Sequence, residues 1–320
     1  MKRKDFIKTG LVTAGGLLLP VKSHVLENTA RGKVIDTLSE EPVEGAVLKF
    51  YAYPDGNLIN EYVTDSDGYY YPDMVGIETI TWGEIKRAFK DNNFESLKSK
   101  ADKQSSSWNK VVINHPDYYD AGRYVKSGEL LDSDIIPLSF DMELFDGGCR
   151  PKGYTERWAE QPEWYVDISP TPNKNIEITQ DKIDLVKEII NNDLIKFSRQ
   201  IGGGSFINNP KITIGTNRPE LGTERTINIS WNDENVSGAH GERLDGKRIY
   251  YGSIYFSTNW FRRETYLHEL TQVLGVRGEI QNYNFMENGQ YTQHGLDSGK
   301  ILYSRPIGSR SPDEDPIPSL

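Results

Sequence analysis

Two hydrophobic patterns of different period divide this sequence, and they predict two domains of different class. In residues 34–71, short apolar or β-branched runs alternate with turn formers, including Asp55-Gly56 and Asp67-Gly68. The Asp-Gly dipeptide favours hairpin turns because it tolerates a positive φ. In residues 179–197, apolar residues recur every three to four positions, which is the period of an amphipathic helix. The first pattern predicts an all-β sandwich, and the second predicts an α+β domain.

Length and composition fit this division. At about 150 residues per domain, a chain of 320 residues has material for about two domains. Hydrophobic residues make up only 36% of the chain, but 11% are aromatic, so core material is sufficient. A net charge of −10 argues against a general nucleic-acid binder, which needs a basic face. The single cysteine, Cys149, excludes an intrachain disulfide, a CxxC redox pair and a cysteine zinc cluster.

The N-terminus has the pattern of an export signal. Four basic residues within residues 1–8 precede an apolar run at 11–21, which is too short to span a bilayer as a helix. Residues 3–8 resemble the twin-arginine motif with Lys4 at the second arginine, so this route and general secretion both stay open. We expect residues 1–25 to be a removed signal peptide. The mature protein would then lie in the periplasm, at the cell surface or outside the cell, with no membrane span.

The segments around Gly32 and Val34, at 41–46 and at 64–69 resemble the carboxypeptidase regulatory-like family, across residues 31–145. This resemblance implies a transthyretin-like or Ig-like β-sandwich that serves as an accessory or binding module without chemistry. Residues 77–108 depart from the family pattern. Their apolar spacing predicts a helical insertion that ends in a flexible polar stretch.

Residues 155–308 are predicted to form the α+β domain. A first helix begins after Thr179, and a second helix ends at Gly275. Three β-like segments lie between these helices, at 211–216, 226–231 and 248–257. Residues 146–153 are expected to be a linker, and the Pro-, Ser- and Asp-rich residues 309–320 are expected to be a disordered tail.

The second helix carries the most informative motif. It contains His268 and Glu269, followed by Gln272, Gly275 and Gly278, and it resembles the HExxHxxGxxH motif of the metzincin zinc peptidases. Histidines four apart share a helix face and can bind one zinc ion, while the glutamate activates a metal-bound water. In metzincins the glycine lets a third histidine reach the metal. In this sequence Gln272 and Gly278 replace the second and third histidines.

The surroundings extend the resemblance over about residues 160–305. Met286 follows Gly278 by eight residues, the matrixin spacing of the methionine turn that lies beneath the metal. Residues 296–303 resemble the terminal matrixin helix. The chain also resembles exported bacterial proteins of unknown function that have a HELTQxLG helix. The edge strand of the former cleft is expected at Ser253, Ile254, Tyr255 and Phe256. The resemblance implies a metzincin-like fold, but activity does not follow from the fold.

The missing histidines argue against a catalytic metal, so no cofactor is expected. Zinc sites of this kind normally have three protein ligands, and His268 is the one that the motif retains. A glutamine amide is a poor zinc ligand, and glycine has no side chain. Gln272 and His268 are instead expected to form a hydrogen-bonded pair. The alternative is a rearranged zinc site that combines His268 with Glu279, His240 or His294.

Three functional hypotheses follow. The favoured one is an exported, non-catalytic pseudopeptidase that binds a peptide or cell-envelope protein in its former cleft, by pairing with an edge strand. The second is an active metallopeptidase with atypical zinc ligands, in which Glu269 would be catalytic. The third is a structural cell-surface module, suggested by tyrosine-rich strands.

Overall fold

A computed structural model describes residues 11–14, 17–20, 31–72, 108–170, 176–202, 207–244, 247–259, 261–276 and 285–318. It is a β-rich chain with several sheets and a smaller number of helices. Most of the expected signal peptide lies outside the described residues, and so does the expected insertion at 77–108, apart from its last residue. Within the expected signal peptide, β1 (Leu11–Ala14) and β2 (Leu17–Pro20) pair as antiparallel strands.

The chain divides into two compact units whose sequence ranges interleave. The first contains residues 1–35, 42–111 and 125–133, and the second contains 36–41, 112–124 and 134–320. The strands of the N-terminal half are β3 (Gly32–Asp36), β4 (Val47–Tyr53), β5 (Leu58–Val63), β6 (Tyr69–Tyr70), β7 (Trp108–Asn114), β8 (Ala121–Lys126) and β9 (Ser133–Ile135). They form one sheet of order β6-β3-β9 and another of order β5-β4-β7-β8. Gly56 and Gly68 adopt positive φ values of 74° and 75°, as the Asp-Gly turns predict.

The predicted linker at 146–153 is wrong. Its first part belongs to helix α1 (Met142–Cys149), which the Asp141 side chain caps by accepting a hydrogen bond from the backbone of Leu144. Phe145 and Cys149 are fully buried in the core of the second unit. The glycines of this segment suggest a linker. Its first part is helical instead, because the apolar face of the helix buries hydrophobic surface in the core.

The second unit is built around a mixed sheet. Its strands are β10 (Arg157–Trp158), β11 (Glu163–Asp167), β12 (Ile212–Gly215), β13 (Thr226–Asn232), β14 (Gly238–Leu244) and β15 (Arg248–Ser257). The order is β12-β11-β13-β15-β14, and β10 pairs with the first two residues of β15. All pairings are parallel except that of β14 with β15. Strands β12 and β14 are therefore the two edges of this sheet.

The helices of the second unit pack on one face of the sheet. The sequence predicts the position and the apolar face of the first helix correctly. This helix consists of α2 (Gln180–Glu188), a π-helical turn (Ile189–Leu194) and α3 (Ile195–Gln200). Thr179 occupies the N-cap position without a capping side-chain bond. Its predicted apolar stripe is buried: Ile183, Val186, Ile190, Leu194 and Phe197. The remaining helices are α4 (Arg263–Gln272) and α5 (Gln293–Ser304).

Helix α4 lies close against the sheet. A Cβ atom on Gly252 of β15 would lie 2.6 Å from Cγ2 of Val273, so only glycine permits this approach. Phe256 and Tyr266 stack with ring centroids 3.9 Å apart. Nε1 of Trp231 donates to the hydroxyl of Tyr266 over 2.8 Å. These contacts place α4 over β13 and β15.

The expected disordered tail at 309–320 is also wrong, because residues 309–318 are packed into the second unit. Asp313 is fully buried and accepts hydrogen bonds from Arg123 over 2.7 Å and from Arg305 over 2.6 Å. The backbone of Gly122 donates to the carbonyl of Asp313. Burial raises the pKa of Asp313, but the two arginines lower it more, so the net shift is downward. The composition of residues 309–320 suggests disorder. The segment packs against the second unit because Arg123 and Arg305 donate hydrogen bonds to Asp313.

We expect Asp313→Asn to lower the free energy of unfolding by about 3–5 kcal/mol, because it leaves two buried arginines without their shared carboxylate. The measurement is urea denaturation at neutral pH. The matched control is Asp184→Asn, whose side chain is 56% exposed and pairs with Lys187 at 3.7 Å; it should cost less than about 1 kcal/mol. Equal losses in the two variants would contradict this role for Asp313.

Candidate functional site

The candidate site lies on the C-terminal half of α4. His268 is half-buried, and Glu269 and Gln272 are 6% and 7% exposed. The predicted apolar face of the helix is fully or almost fully buried: Leu267, Leu270 and Leu274. Gly275 ends the helix with a φ of 103°, as predicted. Packing of the apolar face therefore fixes the direction in which the polar residues project.

His268 and Gln272 form the hydrogen-bonded pair that their residue types predict. Nε2 of Gln272 lies 2.9 Å from Nε2 of His268, one helical turn away. An amide nitrogen only donates, so the imidazole Nε2 accepts and the ring carries its proton on Nδ1. The lone pair of His268 Nε2 is thereby used by a protein donor.

The turn that contains Met286 packs beside His268. The rings of Phe285 and His268 stack with centroids 5.1 Å apart and an interplanar angle of 28°. Met286 is 9% exposed and begins a hairpin of β16 (Met286–Glu287) and β17 (Gln290–Tyr291). The hydroxyl of Tyr291 lies 2.8 Å from Oγ1 of Thr271 on α4. Two contacts therefore attach this turn to the helix that carries the motif.

The hairpin turn itself is formed by Asn288 and Gly289, with φ values of 51° and 75°. Both values are positive, as a two-residue type I′ turn requires, and Asn-Gly is the dipeptide that most favours it. This hairpin was not predicted from the sequence, although the Asn-Gly dipeptide indicates it.

The start of α4 is held by charged contacts. Arg263 donates to Glu188 on α2 over 2.9 Å and to Asp193 in the π-helical turn over 2.6 Å. Burial raises the pKa of Asp193. The charge of Arg263 lowers this pKa by a smaller amount, so the net shift is upward. These contacts attach the motif helix to the first helix.

The two described histidines considered as substitute ligands lie on other elements than α4, on β14 and α5. His240 of β14 pairs directly with Ser253 of β15, and directly opposed residues share one face of a sheet. Because Ile254 and Phe256 belong to the core on the side of α4, His240 is on the opposite face, where it is exposed. His294 on α5 stacks on Phe140 with centroids 5.0 Å apart. Burial lowers the pKa of His294.

Two other sequence-predicted positions, Gly278 and Glu279, lie outside the described residues. Among the residues that the structure describes, no group of three or more His, Cys, Asp and Glu side chains is placed to hold a metal ion. The residues described here therefore do not fit a zinc site with three protein ligands.

The predicted edge strand is wrong. Ser253, Ile254, Tyr255 and Phe256 lie within β15, which is flanked by β13 and β14, so they are interior to the sheet. The edge is β14, and this strand contacts α4. Its sequence contains Gly238 and Gly241 together with charged residues, a composition that suggests a loop because glycine is depleted in strands.

Comparisons with known proteins found little similarity to this chain. No protein-family model matches the chain, and no curated protein matches it. Among solved structures, the chain is similar to hydroxyquinol 1,2-dioxygenase from Pseudomonas putida DLL-E4, with 18% identity and a TM-score of 0.17. The match covers 30% of this chain and 36% of the dioxygenase chain, so this chain spans little more than a third of it.

We expect long-range ¹H–¹⁵N NMR correlations to show the Nδ1-protonated tautomer of His268 in the wild type and its loss in Gln272→Met. The substitution removes the amide donor but keeps the side-chain length, and it should destabilise the protein by about 1 kcal/mol. The matched control is Gln293→Met, which breaks an exposed bond of the same spacing between Gln293 and Asp297 on α5. An unchanged mixture of tautomers in both variants would show that Gln272 does not control the ring.

Proposed function

We propose that the second unit is a metzincin-like domain that binds an extended peptide instead of cleaving one. The observation that carries this proposal is the His268–Gln272 hydrogen bond, which uses the ring nitrogen that a metal would need. The scaffold around this pair is retained, so the position of the former catalytic centre would serve as part of a binding cleft.

Several features support a metzincin-like scaffold. The motif lies on a helix that ends at a glycine of positive φ, and the turn with Met286 packs against the motif histidine. The final helix, α5, contains Leu302 and Tyr303, the residues expected at the end of a matrixin-like helix. The hydroxyl of Tyr303 donates to the carbonyl of Leu274 over 2.6 Å, which connects that helix to the end of α4.

Chemistry is the weaker interpretation of this site. Peptide hydrolysis needs an electrophile or an oxyanion stabiliser in addition to a base. Glu269 supplies a carboxylate beside His268, but the described residues offer no set of ligands for an electrophilic metal. A base alone does not hydrolyse a peptide bond.

Strand β14 is the proposed peptide-binding edge. One side of it pairs with β15, and no described strand pairs with the other side. An unpaired strand edge can accept an extended peptide through backbone hydrogen bonds, with specificity from neighbouring pockets. Because β14 contacts α4, a peptide on this edge would pass close to the motif helix. Arg243 anchors the strand through a 2.6 Å salt bridge to buried Glu156.

The proposal includes export and a partner at the cell envelope. In it, residues 1–25 act as a signal peptide, and the N-terminal strands form a carboxypeptidase regulatory-like sandwich that acts as an accessory module. Among the described residues, no helix is long and apolar enough to cross a membrane.

We expect purified protein to contain well under one zinc ion per chain, before and after dialysis against zinc, because one histidine cannot retain a catalytic ion. The measurement is elemental analysis of wild-type protein with His268→Ala as the control. About one zinc per chain in the wild type, absent from His268→Ala, would instead support the metallopeptidase alternative and justify a protease screen.

We expect one of two proline variants of β14 to abolish peptide binding without unfolding the protein. Successive N–H groups of a strand point to opposite edges, so Ala239→Pro and His240→Pro remove different donors. One of the two variants loses the backbone N–H group that points to β15. It should be destabilised, because that group donates a hydrogen bond between β14 and β15. The variant that loses the outward donor should fold normally and lose binding to peptides selected from a phage-displayed heptapeptide library.

The control is the same pair of substitutions on the other edge strand, Thr213→Pro and Ile214→Pro of β12. The folded member of that pair should bind the selected peptides as tightly as the wild type does. The proposal fails if the folded β14 variant also retains full affinity, or if no peptide is selected by the wild type.

A further inference from the structure

The residues of β15 bond alternately to the strands on its two sides. The backbone N–H of Thr258, directly after β15, donates to the carbonyl of Asn232 on β13 over 2.9 Å. The carbonyl of Tyr250 accepts on the same side from Arg225, directly before β13, over 2.6 Å. Backbone groups of successive strand residues point to opposite edges. The even-numbered residues of β15 therefore bond toward β13, and the odd-numbered ones bond toward β14.

This alternation identifies the backbone groups that β14 turns to the open side of the sheet. Its residues 238, 240 and 242 pair directly with odd-numbered residues of β15, so their N–H and C=O groups are bonded inside the sheet. The residues between them, Ala239 and Gly241, point their N–H and C=O groups away from β15. No described strand pairs with β14 on that side. A partner strand would therefore bond to Ala239 and Gly241.

The side chain of Arg243 is fixed beside one of these outward groups. Its Nη1 donates to the carbonyl of Gly241. Its Nε donates to Oε2 of Glu156 over 2.6 Å, and Glu156 is 2% exposed. A largely buried ion pair thus holds a guanidinium at the open edge of β14. These two bonds use two of the five N–H donors of the guanidinium.

The contact between Arg243 and Gly241 limits how a partner strand can continue. In a parallel pairing, Gly241 would donate to one peptide carbonyl and accept from the N–H group two residues further along the peptide. Nη1 of Arg243 already takes the place of that N–H group. A peptide that ends just before this position would bring its terminal carboxylate beside the guanidinium. An antiparallel peptide would bring its amino end there, and an ammonium group is repelled by an arginine.

The charges around this point favour an anion. Nζ of Lys152 lies 3.2 Å from Oε1 of Glu156, and the lysine side chain is 52% exposed. Arg243 and Lys152 therefore place two positive charges against the one negative charge of Glu156. The acid on β14 itself, Glu242, accepts a hydrogen bond from the hydroxyl of Tyr250 over 2.9 Å. A planar guanidinium matches the geometry of a carboxylate.

We infer that the peptide partner of β14 is a free carboxyl terminus, which runs parallel to the strand and places its terminal carboxylate on Arg243. The carboxyl-terminal mode rests on the proposed peptide binding, and it adds the class of partner. Hydrogen bonds between ionised groups are about twice as strong as neutral ones, so the terminal carboxylate would supply much of the affinity. An internal segment lacks this anion, and it would have to displace Arg243 to continue past Gly241.

The test compares two forms of one heptapeptide, selected by the wild type from a phage-displayed library of free carboxyl termini. One form ends in a carboxylate and the other ends in a carboxamide. In isothermal titration calorimetry with the full chain, the carboxylate should bind at least about tenfold more tightly. Arg243→Gln should reduce this ratio to within about twofold. The matched control is Arg225→Gln, which breaks an exposed 2.9 Å ion pair with Glu160 and should keep the full ratio.

A second measurement keeps the inference testable if Arg243→Gln does not fold. In wild-type protein with ¹⁵N-labelled arginine, the Nε–H resonance of Arg243, assigned by its loss in Arg243→Lys, should shift further with the carboxylate than with the carboxamide at saturation. Equal shifts would overturn the inference.

The outcomes separate this inference from peptide binding itself. Equal affinity of the two peptides for the wild type would overturn the carboxyl-terminal mode and leave peptide binding intact. A tenfold ratio that a folded Arg243→Gln protein preserves would also overturn the role of Arg243. Failure of both peptide forms to bind would overturn the proposed function, and the carboxyl-terminal mode with it.

Discussion

The close approach of β15 to α4 at Gly252 determines the geometry of the second unit. A Cβ atom at this position would lie 2.6 Å from Val273 and 3.1 Å from Ile227, so any side chain would push the helix away from the sheet. The indole of Trp158 reinforces the contact by donating to the carbonyl of Val273 over 2.8 Å. Helix α4 also contacts β14, and its His268 packs against the turn that contains Met286. The packing at Gly252 therefore sets the distance between the sheet and the helix that carries the candidate site.

Local features were predictable because local chemistry decides them. The apolar stripe and the stop at Gly275 define α4, since the period of 3.6 and a positive-φ glycine are properties of a short segment. The His268–Gln272 bond was predictable for the same reason, because residues four apart on a helix are neighbours. In residues 34–71, the strands and turns were predictable from the alternation of apolar runs with turn formers and from the Asp-Gly dipeptides. None of these predictions needed information about distant parts of the chain.

The errors concern contacts between residues far apart in sequence. The sequence of residues 253–256 is compatible with an edge strand. These residues are interior to the sheet because β14 pairs with their outer side. Asp313 sits in a segment whose composition favours disorder, and it is ordered because Arg123, almost two hundred positions earlier, donates to it. Burying a carboxylate is costly unless it is paired, and a sequence does not show which arginine will be in reach. The outward-facing backbone groups of β14 could be identified only after the strand register was known.

Side-chain contacts connect the helix of the candidate site to the turn that contains Met286. Here the amide of Gln272 satisfies the ring nitrogen of His268, while stacking of Phe285 and the bond between Tyr291 and Thr271 connect the turn to α4. Each interaction is worth only about 0.5–1.5 kcal/mol, but together they hold the turn against α4. The candidate site is therefore fixed by contacts between neighbouring elements, and the sheet beside it ends at β14.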